Sequence, residues 1–199
     1  EMLAQLGIAN VPPDGEAARA LEPSIAPVFK HAVHWTGAMS VTNPLALTRA
    51  YAARFAALGG IALQGDARSL HRTEPHWRVD TVSGPLDASD VVVALGPWAP
   101  DLLEPLGITL PLAVKRGYHR HFRARGNAAL SRPILDAENG YCLTPMEQGI
   151  RLTTGAEFAA RDAAPTPVQF DRLLPAAREL FPLDEPVEPA PWLGSRPCF

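Results

Sequence analysis

A chain of 199 residues, 47% of them apolar, can bury one ordinary core or two small ones. Eighteen basic against twenty-one acidic side chains leave a net charge of -3 with no basic run, which argues against binding nucleic acid. No apolar stretch approaches the ~18 residues of a membrane span, and two distant cysteines, Cys142 and Cys198, exclude a disulfide scaffold and make a reducing compartment the default. The 21 prolines, about twice the usual ~5% share, are spread through apolar sequence, so many short elements with rigid connections are expected.

In chain order, residues 14–22 read as a short helix stopped by Pro23, and residues 31–40 alternate loosely enough for a strand. Asn43 followed by Pro44 predicts an N-cap and first helical turn. Leu47, Tyr51, Phe55 and Leu58 then follow at spacings of three and four, which predicts a helix packed along one face and ended by Gly59-Gly60. Residues 61–64, 67–73 and 76–82 have strand character, the last two as a hairpin about Glu74-Pro75. The run Asp90-Val91-Val92-Val93-Ala94-Leu95-Gly96 predicts a strand buried on both faces of a parallel sheet. Residues 100–106 read as a short helix. Residues 110–122, 134–135, 141–144 and 149–155 read as strands of a second sheet. Thr166 is the expected cap of a helix starting at Pro167, with Phe170, Leu173, Leu174, Ala177 and Phe181 on its apolar face and Pro175 kinking or splitting it. The proline-rich residues 182–191 form an extended crossing.

Few residues announce chemistry. His31 and His34 are three apart, and His119 and His121 alternate on one strand face, yet no carboxylate or third histidine sits at a supporting spacing, so no metal site is expected. Ala94-Leu95-Gly96 fits two readings: small residues that let a cofactor approach backbone, or a tight turn after a core strand. Arg196, in the otherwise uncharged Trp192-Leu193-Gly194-Ser195-Arg196-Pro197, needs an anionic partner. A ligand carboxylate suits its planar fork, and an internal bridge to Glu185 or Glu188 is the alternative.

Four ordered blocks resemble the flavin-dependent amine oxidoreductases of the D-amino-acid oxidase superfamily, nearest the D-amino-acid dehydrogenase and glycine oxidase branch. They are Val91-Val92-Val93-Ala94-Leu95-Gly96-Pro97-Trp98-Ala99, then Leu110-Pro111-Leu112-Ala113-Val114-Lys115-Arg116-Gly117-Tyr118, then Thr153-Thr154-Gly155-Ala156-Glu157-Phe158, then Trp192-Leu193-Gly194-Ser195-Arg196-Pro197. The resemblance implies a mixed α/β (α+β) chain: part of an FAD-binding domain interleaved with an antiparallel-sheet substrate domain. Residues 1–39 and 107–191 would be substrate domain, residues 40–106 would supply a helix, a ribbon and the last parallel strand of the FAD domain, and residues 192–199 would return toward it. The Gly-rich strand-turn-helix that binds the FAD pyrophosphate and the terminal Gly-rich segment are both missing from the sequence. With the Glu1 start and the Arg196-Pro197-Cys198-Phe199 end, this predicts an internal piece of a longer protein with an exposed apolar surface or unpaired sheet edge near Val91 to Leu95.

The function implied is FAD-dependent oxidative deamination of a D-amino acid or glycine-like amine, with oxygen or a quinone chain as acceptor. Ala67, Ala94, Gly96 and Trp98 would contact the cofactor, Arg196 would anchor the substrate carboxylate, and Tyr118 and Tyr141 would donate hydroxyls. The flavin carries the redox chemistry, so no catalytic base is required. A complementary chain or oligomer covering the sheet and a cytoplasmic location, either free or peripheral on the inner face of a membrane, complete the expectation. A non-catalytic ligand- or partner-binding domain, or one half of a split enzyme, remains the other reading.

Overall fold

A computed structural model of the chain describes residue 7, residues 9–11 and residues 15–199, which divide into two compact units. The first comprises Glu1–Pro44, Gly117–Glu157 and Ala164–Gly194, and the second Leu45–Arg116, Phe158–Ala163 and Ser195–Phe199.

In the first unit, β1 (Asn10–Val11) pairs antiparallel with β2 (His34–Trp35), so the strand expected over residues 31–40 shrinks to two residues. Helix α1 (Gly15–Leu21) lies where the sequence puts it, and residue 14 is outside the described residues. The buried Glu22 after it accepts hydrogen bonds from the Ser131 N–H (3.0 Å), the Ser131 hydroxyl and Arg132 (3.0 Å), which fastens the helix end to a distant loop.

The main sheet is built from β6 (Ala113–Ala124), β7 (Ile134–Asp136), β8 (Tyr141–Met146), β9 (Gly149–Thr153) and β10 (Glu157–Phe158), in the order β10-β6-β9-β8-β7. Strands β11 (Leu183–Pro186) and β12 (Trp192–Cys198) also pair with β6. The β6–β9, β9–β8, β8–β7 and β6–β11 ladders are antiparallel. The β8–β9 turn needs Gly149: its φ is 132°, and a Cβ there would meet the Phe122 carbonyl oxygen at 2.6 Å.

Register sorts the side chains into two faces. Tyr118, Phe122, Tyr141, Leu143, Ile150 and Leu152 alternate onto one face and join a buried cluster with Phe170, Leu173, Ala177 and Leu180 of helix α4 (Val168–Leu180). Spacings of three, four and three put those four residues on one helical stripe, and each large one contributes about 1.5–3 kcal/mol by burial. The helix runs unbroken through Pro175, so the expected split does not occur; the missing N–H only deprives the Asp171 carbonyl of its helical donor. Thr166 is not the cap. The helix begins one residue later with Pro167 at the cap position, and the Thr166 hydroxyl goes to Glu157 instead (3.0 Å).

In the second unit, helix α2 (Pro44–Ala57) ends in a Schellman turn: the Gly60 N–H reaches the Phe55 carbonyl and the Gly59 N–H that of Ala56, both at 3.0 Å, with Gly59 at φ 88°. Its extent matches the sequence expectation, but its packing does not. Every residue of α2 is exposed, Tyr51 at 70%, and the stripe of Leu47, Tyr51 and Phe55 is not buried by the described residues, although the Phe55 ring lies against Gly60. Strands β3 (Gly65–Thr73), β4 (His76–Thr81) and β5 (Gly84–Ala88) form an antiparallel ribbon, whose third strand the sequence reading did not identify. A bidentate pair of Arg78 with Asp87 (2.7 Å for both bonds) joins β4 to β5. Residues 61–64 form no strand.

Residues 90–95 form no strand either, which corrects the expected buried parallel strand. An apolar run becomes a two-sided strand only if neighbouring strands satisfy its backbone on both edges, and no ladder partner for it exists among the described residues. Val92 is 90% exposed and Val91 40%. The chain then enters a 3-10 turn (Gly96–Trp98), helix α3 (Ala99–Leu103) and a second 3-10 turn (Glu104–Leu106), and α3 packs against β3.

Candidate functional site

The face of the main sheet opposite α4 is polar. Cross-strand pairing sets His119, Thr153 and Cys142 in one row and His121, Arg151 and Thr144 in the next. A strand pair places directly opposed side chains ~4.5–5.5 Å apart at Cβ, so each row is a contiguous strip of hydrogen-bonding groups.

His121 is the fixed point of this face. Its backbone N–H donates to Glu188 Oε2 at 2.9 Å, its ring Nδ1 bonds Glu188 Oε1, and Arg151 Nε donates to its Nε2 at 3.1 Å. An Nε2 that accepts must be unprotonated, so Nδ1 carries the proton and donates to the carboxylate. The segment bearing Glu188 is clamped in turn, because the Arg120 guanidinium donates to the carbonyls of Glu188 (2.8 and 2.6 Å) and Pro189 (2.8 Å). Beside it, His119 stacks on Trp192 with ring centroids 4.7 Å apart and meets His121 edge-on at 5.5 Å.

These groups shift one another. Burial pushes the His119 imidazole down to about 4, with the charge of Arg151 and the ring of His121 adding to the effect. Burial also lowers Arg151. In Glu188 burial acts upward, but the two bonds from His121 prevail and hold the carboxyl below its usual range.

Of the residues expected to contact substrate, Tyr118 and Tyr141 lie in the core on the α4 side of the sheet, 2% and 1% exposed. The Tyr118 hydroxyl donates to Glu157 Oε2 and accepts from the Thr166 N–H, both at 3.0 Å. The Tyr141 hydroxyl reaches the Ala176 carbonyl at 3.4 Å, and burial, then the charge of Asp136, raises its pKa. Arg196, on β12 in the second unit, is exposed and makes no side-chain hydrogen bond or ion pair among the described residues. Glu188, one of its two expected internal partners, is committed to His121.

The residues expected at the cofactor all fall in the second unit. Ala94 is exposed, Gly96 sits at φ 54° where a side chain would be strained, and Trp98 is half exposed with the Arg161 guanidinium 5.9 Å from its ring centroid. Arg161 is held by Asp101 (2.9 Å), Asp162 (2.7 Å) and the Pro97 carbonyl (3.2 Å). Ala67 lies on β3, the strand against which α3 packs. Small residues in an open turn beside a ribbon suit the close approach of a planar ring to backbone, so the residues present fit part of a flavin dinucleotide. Nothing in the sequence supplies the Gly-rich turn for its pyrophosphate. Among the described residues no group of three or more His, Cys, Asp or Glu side chains is arranged to hold a metal ion, and no helix is long and apolar enough to cross a membrane.

The sequence reading passed over Arg151, Thr144, Thr153 and Cys142 as a site. Only the paired histidines hinted at a polar face, because the row partners are set by register between strands that sequence spacing does not reveal.

Comparison with known proteins shows what the chain is similar to. The chain is 30% identical over 188 residues to glycine oxidase of Pseudomonas putida, covering 92% of this chain and 51% of that protein. It is 34% identical over 115 residues to D-amino acid dehydrogenase of Dechloromonas aromatica, covering 57% and 28%. The crystal structure of glycine oxidase from Geobacillus kaustophilus superposes with a TM-score of 0.77 at 26% identity, covering 98% of this chain and 53% of that one. The chain thus spans about half the length of glycine oxidases it matches. The sequence profile of the FAD dependent oxidoreductase (DAO) family matches residues 2–199, and the chain belongs to that family.

Proposed function

We propose that this chain carries the substrate-binding surface and part of the cofactor-binding surface of an enzyme that oxidatively deaminates a D-amino acid or a glycine-like amine. The observation that carries the reading is Arg196, an exposed guanidinium with no counter-ion among the described residues, in an uncharged segment. A permanently charged planar fork with no partner among the described residues is suited to a ligand carboxylate, which it holds through two parallel hydrogen bonds. The family and the names of its relatives, glycine oxidase and D-amino acid dehydrogenase, support the same chemistry.

Bound FAD, held in part by Ala67, Ala94, Gly96 and Trp98, would supply the two-electron redox chemistry by which the amine and water become an oxo acid and ammonia. The protein's part is orientation. Arg196 fixes the carboxylate, Ala67 meets the adenine, and Ala94, Gly96 and Trp98 line the flavin. No residue of this chain is required to take the α-proton.

The test is an assay of the protein expressed with the flanking sequence its gene encodes. FAD-dependent release of ammonia from glycine or a D-amino acid, followed with oxygen and with a quinone-like dye as alternative acceptors, is the expected result. A flavoprotein that releases no ammonia from any of these amines would overturn the reading.

A further inference from the structure

The 3-10 turn Gly96–Trp98 and the segment Phe158–Ala163 belong to the same compact unit, and the Arg161 guanidinium joins them. Its Nη1 donates to the Pro97 carbonyl at 3.2 Å and to Asp101 Oδ1 at 2.9 Å, while Nε and Nη2 donate to Asp162 Oδ2 at 3.0 and 2.7 Å. The guanidinium carbon lies over the Trp98 ring, 5.9 Å from its centroid. One side chain thus holds the backbone of the turn, its half-exposed indole and the first turn of helix α3.

Arg161 is itself held from behind. The Ala163 N–H donates to the Ala160 carbonyl at 3.1 Å, which makes Arg161 and Asp162 the two central residues of a tight turn. The buried Arg116 donates to the carbonyls of Ala160, at 3.4 Å, and of Ala163, so that turn is braced at both ends. Exposed ion pairs add little to stability, and the side chains of Asp101 and Asp162 are 50% and 72% exposed where that of Arg161 is 21%. What the contacts of this covered cation fix is direction, at the Pro97 carbonyl and the Trp98 ring. A turn of three residues entered through a glycine at φ 54° is by itself a weak anchor for an exposed indole.

We propose that Arg161 is a positioning residue for the flavin: it sets the Gly96-Pro97 backbone and the Trp98 ring at the angle the flavin ring meets, with Asp101 as its anchor and Arg116 as its brace. It acts through the turn and does not touch the substrate. The proposal deepens the reading above that FAD lies against Gly96 and Trp98, and rests on it. What it adds is the group that prepares this surface before the cofactor arrives.

The test uses the apoprotein expressed with the flanking sequence its gene encodes. It is titrated with FAD and, separately, with ADP, which has the adenine and the pyrophosphate but no flavin ring. Arg161→Met removes every donor and keeps an apolar stem. It should weaken FAD binding at least ~10-fold, the size of a lost charge-assisted hydrogen bond, and leave ADP as tightly bound as before. Arg161→Lys, which reaches Asp101 but has no planar face for Trp98, should fall between. Asp101→Asn should show the same FAD-selective loss at smaller size, and it carries the test if Arg161→Met does not fold. FAD binding undiminished in these variants would overturn the proposal. An equal loss for FAD and ADP would overturn it too, because damage to the whole unit does not discriminate between the two ligands. Amine turnover measured in parallel keeps the two readings apart. FAD-selective loss in a flavoprotein that turns over no amine removes the oxidase and keeps the role of Arg161, whereas amine turnover with FAD held equally well by Arg161→Met removes that role and keeps the oxidase.

Discussion

At the scale of single residues, charge is what remains to be matched. Arg196→Lys keeps the positive charge but loses the bidentate fork, so a strong rise in KM is expected in the active enzyme. Arg196→Ala should cost about 2–5 kcal/mol of substrate recognition. Steady-state kinetics unchanged in the alanine variant would show that Arg196 does not meet substrate. His119 makes a separate prediction about pH. Its ring, pushed down to about 4 by burial and by the nearby Arg151, is more easily protonated in the unfolded chain, where the ordinary value is 6.5. A depressed folded value means that stability is fully present above pH 6.5 and is lost as pH falls through about 4. The loss over that window is roughly 2 kcal/mol once partial solvent access is allowed for. Glu188, held below its usual range, adds a loss of the same sign at lower pH. Urea unfolding at pH 7 and pH 4 should show the drop, and His119→Asn should reduce it.

Among the elements, burial separates two helices of similar length. Helix α4 sets Phe170, Leu173, Ala177 and Leu180 into the core of the first unit, and Leu152 of β9 is completely buried in the same cluster. Leu152→Ala should cost about 2–5 kcal/mol, because the methyl groups leave a cavity among rigid neighbours. Helix α2 has an equally regular apolar stripe, yet it buries none of it. Tyr51→Ser should therefore change the stability of this chain by no more than about 0.5 kcal/mol. Thermal unfolding of both variants tests the contrast, and a large loss in Tyr51→Ser would mean that α2 has a covered face. An isolated helix of this length is marginal in water, so the bare stripe also identifies α2 as the element most dependent on whatever lies against it.

For the whole molecule, the relevant fact is coverage. The chain spans about half of the glycine oxidases it matches, and its sequence has no Gly-rich strand-turn-helix to offer amides and a helix N-terminus to a pyrophosphate. The 199-residue chain by itself is expected to bind FAD weakly or not at all, even though Ala67, Ala94, Gly96 and Trp98 offer surface for its rings. Equilibrium dialysis against FAD measures this directly, and stoichiometric, tightly held FAD would show that this half suffices for the cofactor.

The sequence by itself determined what depends on nearest neighbours along the chain. The Asn43-Pro44 start, the Gly59-Gly60 stop and the three-four spacing between them define α2, and the same kind of spacing selects the buried face of α4. The four motif blocks gave the family, because each is a local run of residue types. Tertiary structure decided everything that needs a partner distant in sequence. Val91, Val92 and Val93 have the composition of a buried strand, but a strand exists only where another backbone answers its N–H and C=O groups, and none does so among the described residues. The stripe of α2 looks the same in sequence whether or not something covers it. Tyr118 and Tyr141 resembled pocket hydroxyls until register turned both toward α4, while the same register carried His119, His121 and Arg151 to the opposite face. With a side-chain period of two, a shift of one residue in pairing exchanges the two faces, so the site depends on register that sequence spacing alone does not contain.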